Sequence, residues 1–242
     1  MRSFKTFCFS FFCSLILLTA CQNPEPFPEV PKKERALLHV LHAYAPQKID
    51  LEITQYQQAN TVADGLDFLE SWPTAGYAAL LVNPSEDSAA NSQELAINIL
   101  DHNSKDVLVP TPEFRLSEEF PTTLCIIDSF GSPMVVRTAD DYSDEMEPGN
   151  GQIRFLNLSP SVLSVSLVAK NDSFAIENFN FLNYSEFEQI PQGRKTFYFV
   201  NDFTDERIDS IVNIDIRSRH TYSFFLVNDE NRPIAGYEIL DQ

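Results

Sequence analysis

The chain has 242 residues and a net charge of −18, from 35 acidic and 17 basic side chains. So acidic a surface repels nucleic acid, which excludes that class of partner, and it favours solubility. The 20 phenylalanines and 8 tyrosines supply material for a hydrophobic core, since each buried aromatic ring removes about 150–250 Å² from water.

The first 20 residues have the layout of a secretory signal peptide. Arg2 and Lys5 provide a charged start, and an apolar run of about 12 residues follows from Phe7 to Leu18. A membrane-spanning helix needs about 20 apolar residues. We therefore expect residues 1–20 to be cleaved off rather than to remain in the membrane.

The end of this run carries a second signal. Leu18-Thr19-Ala20-Cys21 resembles the lipobox of bacterial lipoproteins, which implies cleavage before Cys21 and acylation of its thiol and new amino group. Two or more acyl chains anchor a protein stably. An ordinary signal peptide with a chance cysteine is the alternative. Gln22 stands where an Asp would resemble an inner-membrane retention signal, so the resemblance favours the outer membrane of a Gram-negative bacterium and leaves its periplasmic or surface face open.

Cleavage would change the charge and the cysteine content. The net charge would go from −18 to −20, because the removed segment holds two basic residues and no acid. Cys8 and Cys13 would leave with it. Cys125 would then be the one thiol beside the acylated Cys21, so we expect no disulfide within the chain.

The mature chain divides by composition. Residues 21–35 carry a proline at nearly every second position and are predicted to form an extended polyproline tether. Residues 142–150 are polar and acidic, as is typical of a linker. Residues 36–141 and 151–242 consist of short apolar runs separated by Pro, Asn, Asp and Gly, which is strand length and strand punctuation. We predict an all-β protein with two tandem antiparallel β-sandwich domains.

The strands can be placed from these runs. In 212–216, strict alternation predicts Val212, Ile214 and Ile216 on the buried face. Residues 63–71 could form one or two helical turns, and residues 222–239 are predicted to form a hairpin. The predicted strands are residues 37–41, 51–53, 77–82, 95–100, 107–109, 124–127, 134–136, 153–156, 165–168, 196–200, 212–216, 222–227 and 234–239.

Internal similarity indicates a duplicated β domain. Three blocks recur in the same order, and the first of them has a constant offset of 100 without a gap; chance similarity among apolar strands is the alternative. The blocks pair residues 124–128 and Pro133 with 224–228 and Pro233, residues 38–42 and Pro46 with 153–157 and Pro160, and Pro73, Gly76 and residues 80–83 with Pro191, Gly193 and residues 198–201.

The second copy resembles a known family. Residues 153–160 and 184–193 resemble the opening strand and the later Ile-Pro-x-Gly segment of a bacterial domain of unknown function, number 4397. In the first copy Tyr44-Ala45-Pro46 replaces the Ser-Pro of the family, and the later segment is reduced to residues 72–76. The resemblance implies tandem Ig-like β-sandwiches in exported or lipid-anchored proteins, and it supplies no catalytic residues.

The four histidines do not form a metal-binding pattern. His39 and His42 are three apart on a predicted strand, where side chains alternate, so they should point to opposite faces and cannot share a zinc ion. His102 and His220 have no nearby cysteine or second histidine. Like Asn157, His42 precedes a proline turn, and we expect it to hydrogen-bond the backbone of that turn.

Other side chains invite a chemical role but have a packing interpretation. Cys125 matches Phe225 of the second copy, so we expect a buried, inert thiol. Trp72 aligns with Ile190 and is expected in the core, with a sugar-stacking platform as the alternative. The candidates for glycan contact are the tyrosines Tyr44, Tyr56 and Tyr142, which are expected to be exposed.

An acidic cluster precedes the second domain. Asp140, Asp141, Asp144, Glu145 and Glu147 could bind calcium, but their spacing fits no EF-hand loop. We expect a solvated linker instead.

No catalytic motif is visible in the sequence. A nucleophile elbow, a phosphate loop and a Ser–His–Asp order are all missing, so we predict no catalytic, cofactor-binding or metal-binding residues and only the lipid attachment at Cys21. The predicted function is a lipid-anchored, non-catalytic cell-envelope protein that binds a protein or glycan or supports the envelope. The alternative is a hydrolase of envelope or surface glycans with a carboxylate pair.

Overall fold

The computed structural model describes residues 35–55, 58–74, 76–81, 94–110, 114–115, 121–142, 145–229 and 232–240. The predicted signal peptide and Cys21 lie outside these ranges, as does the predicted tether up to residue 34. Residues 34–242 form one compact unit. In the described ranges no helix is long and apolar enough to cross a membrane.

The described residues form an all-β fold, as predicted. We call residues 35–139 half 1, and the described residues of this half form ten strands. They are β1 (Arg35–Ala43), β2 (Ile49–Gln55), β3 (Gln58–Leu66), β4 (Ser71–Trp72), β5 (Ala78–Leu81), β6 (Glu94–Asp101), β7 (Val107–Pro110), β8 (Phe114–Arg115), β9 (Thr122–Ser129) and β10 (Ser132–Ala139).

Half 2, residues 150–239, contains eight strands. They are β11 (Asn150–Asn157), β12 (Ser164–Ala169), β13 (Ala175–Asn180), β14 (Glu188–Pro191), β15 (Gly193–Asn201), β16 (Arg207–Ile216), β17 (Thr221–Asp229) and β18 (Arg232–Ile239). The predicted hairpin of residues 222–239 is confirmed as β17 and β18.

The strands form four sheets, two in each half. Sheet 1 has the order β10-β9-β1-β4, with β5 also on β1, and sheet 2 has the order β3-β2-β6-β7, with β8 also on β6. Sheet 3 is β14-β11-β17-β18 and sheet 4 is β13-β12-β15-β16. Among the described strands, pairing is antiparallel except between β1 and β9 and between β11 and β17, which are parallel.

The pairing registers relate the two halves residue by residue. Leu38 lies opposite Thr122 in the β1–β9 pair, and Ile153 lies opposite Tyr222 in the β11–β17 pair. The offset of 100 between β9 and β17, and the match of residues 38–42 with 153–157, are therefore both consistent with the structure.

The third predicted block is wrong. Leu80 pairs with Ala36 in the same way as Ile190 pairs with Gly151, so β5 corresponds to β14 and not to β15. The counterpart of β15 is β6, because β6 pairs with β2 as β15 pairs with β12. The prolines and glycines of this block do not mark equivalent positions, because the spacing between β4 and β5 differs from the spacing between Tyr184 and β14 in half 2.

Two apolar cores fill the two sandwiches. Between sheets 1 and 2, the core includes Leu38, Val40, Ile97 and Ile126. Between sheets 3 and 4, it is dominated by aromatic rings, including those of Phe155, Phe197, Phe199 and Phe224.

A third core joins the halves, and it is built from equivalent residues of both. Its pairs of counterparts are Leu41 and Leu156, Ala43 and Leu158, Cys125 and Phe225, and Ile127 and Val227. Sheets 1 and 3 are thus covered on both faces, which explains why β9 and β17 are continuously buried instead of alternating. Because the halves share this core, the boundaries of separately folding domains stay a prediction.

Two local predictions are wrong. Val212 is exposed and Ile211 is buried instead, because a bulge between the β15 and β16 pairs leaves Asn213 with a φ of 58° and reverses the alternation. Residues 63–71 form no helical turn, since β3 extends to Leu66 and the short strand β4 begins at Ser71.

Candidate binding site

A crevice of about 540 Å³ lies where half 1 meets β18 of half 2. Ligand pockets are commonly 300–1,000 Å³ and often lie between domains. Half 1 contributes His39 from β1 and a segment around β4. The polar groups that line the crevice are the carboxylates of Glu70 and Glu238, the hydroxyls of Ser71 and Thr74, the Tyr237 phenol and the His39 ring.

The His39–Glu238 pair forms the inner wall of the crevice. His39 Nδ1 donates to the Gly76 carbonyl oxygen at 2.8 Å, and Nε2 lies 2.7 Å from Glu238 Oε2. The histidine is fully buried, while 13% of the Glu238 side chain is exposed. Because Nδ1 donates to a carbonyl oxygen, Nε2 is left to share a hydrogen bond with the Glu238 carboxyl group, and this bond joins half 1 to half 2.

The equivalent position in half 2 holds Arg154, which reaches back into half 1. Its guanidinium is buried and bonds the Asp140 carboxylate, Thr138 Oγ1 at 3.1 Å and Ser223 Oγ at 2.7 Å. Burial alone would lower the pKa of Arg154, but the charge and the hydrogen bond of Asp140, together with the smaller contributions of other neighbours, outweigh burial and raise that pKa.

These two contacts are related by exchange of the halves. His39 corresponds to Arg154, and Glu238 corresponds to Thr138 by the offset of 100. His39 of half 1 contacts Glu238 of half 2. Its counterpart Arg154 of half 2 contacts Thr138 of half 1, which is the counterpart of Glu238. Such reciprocity is the property of an isologous interface.

A row of aromatic rings connects the two contacts. Tyr77 meets His39 edge-on at 5.9 Å, Tyr142 stacks on Tyr77 at 6.3 Å, and Phe187 meets Tyr142 at 5.9 Å. The Phe187 ring in turn lies 4.8 Å from the Arg154 guanidinium carbon. The interior of the interface between His39 and Arg154 is therefore packed.

A second charged cluster lies on half 1, around the buried carboxylate of Asp50. His102 Nδ1 contacts Asp50 Oδ1 at 2.7 Å, Lys105 Nζ contacts Oδ2 at 2.5 Å, and Gly65 N–H donates to Oδ1 at 2.7 Å. Burial alone would raise the pKa of Asp50, but these bonds outweigh it and lower the pKa to about 2. Asp64 Oδ1 lies 3.4 Å from His102 and 3.5 Å from Lys105.

Three of these side chains have ligand atoms close enough to hold a metal ion, namely Asp50, Asp64 and His102. However, the Lys105 ammonium contacts both carboxylates, and a fixed positive charge disfavours a cation there. In half 2 the same positions hold Ser166 and Asp202, which are bonded to each other at 2.5 Å. We interpret the cluster as a polar support for the β2–β3 bulge.

His42 behaves as the sequence predicted. Its Nε2–H donates to the Gln47 carbonyl at 2.9 Å and its Nδ1 accepts from Tyr44 N–H at 3.4 Å, while Asn157 bonds the Val162 carbonyl at 3.0 Å. Burial lowers the pKa of His42 to about 4 despite the bond to Gln47. The ring is therefore neutral at pH 7 and points away from the interface that His39 occupies.

Cys125 is fully buried in the core between the halves. Burial raises the pKa of its thiol well above the ordinary range. A protonated, inaccessible thiol is inert, as the match with Phe225 had predicted.

The aromatic side chains considered for glycan contact lie in different environments. Tyr44 is buried and belongs to the core of half 1, so its predicted exposure is wrong. Trp72 packs against that same core, although it pairs with Val40 and so does not correspond to Ile190. Tyr142 is half-buried in the aromatic row, and Tyr56 lies outside the described residues.

One member of the acidic cluster is not solvated as predicted. Asp140 is fully buried and accepts hydrogen bonds from Thr123, Thr138 Oγ1 at 2.7 Å, Tyr77 Oη at 2.7 Å and Arg154. A carboxylate so engaged has no capacity left for calcium. Apart from Thr138, its partners lie 14 to 63 residues away in the sequence, and only the fold brings them together.

The crevice itself was missed by the sequence reasoning. Glu238 and Tyr237 lie on a strand that was correctly predicted, but their partner His39 is 199 residues away from Glu238. The offset of 100 could have indicated it. This offset aligns Glu238 with Thr138, so position 238 is charged in one copy and neutral in the other.

Comparison with known proteins adds little. No family model matches the chain, so its resemblance to the domain of unknown function 4397 stays a prediction. No curated protein matches it.

Two solved structures are similar in outline. One is a Bacteroides uniformis protein described as a "putative cell adhesion protein", with a TM-score of 0.25 and 8% identity over 86% of this chain and 98% of that one. The other is a Bacteroides ovatus protein described as a "putative adhesin", with a TM-score of 0.21 and 9% identity over 82% of this chain and 90% of that one.

Proposed function

We propose that the protein is a lipid-anchored, non-catalytic binding module of the bacterial cell envelope, with the crevice between its halves as the binding site. The observation that carries the proposal is the crevice of about 540 Å³, which combines exposed apolar and polar groups at a junction of two sandwiches.

The state of the other charged groups supports this choice of site. Arg154 and Asp140 are paired in the closed part of the interface, and Asp50 is held by Lys105 and His102. His42 is used by its own turn. Glu70 and Tyr237, in contrast, line the crevice and are both exposed.

The predicted anchor supports the envelope location. A charged start, a short apolar run and the Leu-Thr-Ala-Cys sequence precede the folded part of the chain. Two or more acyl chains on Cys21 would hold the protein stably at a lipid surface.

Membrane fractionation of the producing cells tests this proposal, with Cys21→Ala as the comparison. The wild-type protein should sediment with the outer membrane and incorporate a labelled fatty acid, and the variant should do neither. Wild-type protein that stays soluble and unlabelled would contradict the proposal. Protease treatment of intact cells then shows whether the module faces outward or into the periplasm.

One observation favours a second candidate, a glycan hydrolase. Glu70 of half 1 and Glu238 of half 2 both line the crevice, and glycosidases use two carboxylates. One oxygen of each is already engaged, by Asp67 N–H at 2.8 Å and by His39, which favours binding over catalysis. Release of reducing ends from envelope polysaccharide, lost in both Glu70→Gln and Glu238→Gln, would support the hydrolase instead.

A further inference from the structure

We propose that the crevice binds a primary ammonium group carried on an aliphatic stem, as in a diamine or a lysine side chain. This rests on the proposed binding function and adds the ligand class. The ammonium would lie between Glu70 and Tyr237, and the stem would lie against the leucine and isoleucine side chains of the crevice wall.

The charges of the lining favour a cation. Among the described residues that line the crevice, none is a lysine or an arginine, and two are glutamates. The Glu238 carboxyl group is already hydrogen-bonded to His39, whereas Glu70 is exposed and lines the crevice, so Glu70 is the carboxylate that a ligand cation would meet. An anionic ligand would be repelled, and the net charge of −18 attracts cations at longer range.

The lining also suits the shape of an alkylammonium ligand. An ammonium group has three donors and no acceptor, and the carboxylate of Glu70 and the hydroxyls of Ser71 and Thr74 supply acceptors. The Tyr237 ring is 43% exposed and stacks on Phe224 with a centroid distance of 5.9 Å. A ring fixed in this way offers a face for a cation–π contact.

Half 2 already contains a cation that is held by a carboxylate and an aromatic ring. Arg154 is the counterpart of His39, and its cation lies between a carboxylate, Asp140, and an aromatic face, Phe187. In the crevice the shorter His39 reaches only as far as Glu238. A ligand cation would combine there the two kinds of contact that the guanidinium combines in half 2.

Calorimetry on the detergent-solubilised mature chain tests the proposal with three probes. Cadaverine and Nα-acetyl-lysine N-methylamide should both bind, and 1-pentanol, which lacks the charge, should bind at least tenfold more weakly. A stronger response to cadaverine indicates a free amine as the source, and a stronger response to the lysine derivative indicates a peptide. Raising NaCl from 20 to 500 mM should weaken both through screening.

Variants locate the site. Glu70→Gln should weaken cadaverine binding about tenfold, as expected for loss of one charge-assisted hydrogen bond. Glu177→Gln removes the same charge from an exposed strand on sheet 4 and should change binding less than twofold. Tyr237→Phe should retain binding and Tyr237→Leu should lose it, with unchanged melting temperatures showing that each variant is folded.

Two results would overturn the inference. One is equal affinity for 1-pentanol and cadaverine, and the other is cadaverine binding that Glu70→Gln and Tyr237→Leu leave unchanged. If cadaverine gives no heat while neutral oligosaccharides bind the wild type but not Tyr237→Leu, the ammonium class is wrong and the binding function stands. Loss of membrane attachment in fractionation overturns the proposed function independently of any cadaverine result.

Discussion

The two halves have equivalent central strands but different polar chemistry at equivalent positions. A buried histidine in half 1 and an asparagine in half 2 each hold a proline turn, at positions 42 and 157. A salt-bridged Asp50 in half 1 corresponds to a neutral Ser166 in half 2. The comparison teaches that the fold requires a hydrogen-bonding partner at each position and tolerates several residue types in that role.

The same comparison explains the crevice. Arg154 fills its side of the interface with a long guanidinium that bonds several groups of half 1, whereas His39 fills the other side with a compact ring. The pseudo-symmetry is therefore broken at the crevice. Predictions on the paired positions therefore test the fold and the site together.

The largest expected effect is at the buried ion pair. Arg154→Leu should lower the free energy of unfolding by about 3–5 kcal/mol, because Asp140 would remain buried without its cation. Urea denaturation measures the change. The control Lys48→Leu breaks an exposed pair with Asp67 and should cost less than about 1 kcal/mol. Equal losses in the two variants would show that burial of Arg154 has no special weight.

The free energy of unfolding should depend on pH through His42, whereas its counterpart Asn157 does not titrate. The folded pKa of His42 is about 4 and its ordinary value is 6.5, so the unfolded chain binds the extra proton between these pH values. The resulting stability is complete above pH 6.5 and is lost as the pH falls to 4, a change of about 3 kcal/mol. His42→Asn, which copies half 2, should remove this dependence in urea titrations at pH 7 and pH 4. An unaltered pH dependence in the variant would argue against a neutral buried ring.

The paired core positions predict a rescue. Phe225 packs on Gly236 in half 2, while half 1 has Cys125 against Val136 at the same register. A Cβ at position 236 would overlap the Phe225 ring, so Gly236→Val should cost about 1–3 kcal/mol through overpacking. Adding Phe225→Cys reproduces half 1 and should restore part of that loss. If the double variant loses the sum of the two single losses, the positions are not coupled.

The last effect, similar in size to that of Gly236→Val, is expected at Asp50. Its folded pKa of about 2 lies below the ordinary value of 3.8, so its contribution is present above pH 3.8 and is lost as the pH falls to about 2. Asp50→Asn should cost about 2 kcal/mol at pH 7, and Asp64→Asn, at an exposed position, much less. Because Lys105 already pairs with Asp50, the melting temperature should not respond to a chelator. A fall in that temperature on chelation would support a metal at this cluster.

Much of the fold could be predicted because strands and turns depend on residues that are close together in the sequence. Apolar runs bounded by Pro, Asn, Asp and Gly gave the strands, and the constant offset gave the equivalence of residues 124–128 and 224–228. The identity of β5 could not be predicted, because the spacing between residues 71 and 81 follows no constant offset. The pairs His39–Glu238 and Arg154–Asp140 could not be predicted either, because they depend on how two apolar sheet faces pack together. The sequence of a buried strand does not indicate which surface it packs against.

The most direct test of the duplication is the behaviour of residues 149–242 alone. We predict a cooperative melt and a dimer in sedimentation equilibrium, because the face with Leu156, Leu158 and Phe225 would be exposed and can pair with a second copy of itself. Arg154 of each copy would then face Glu238 of the other, in place of the present Thr138. A monomer that unfolds without cooperativity would contradict both the duplication and the reciprocal interface.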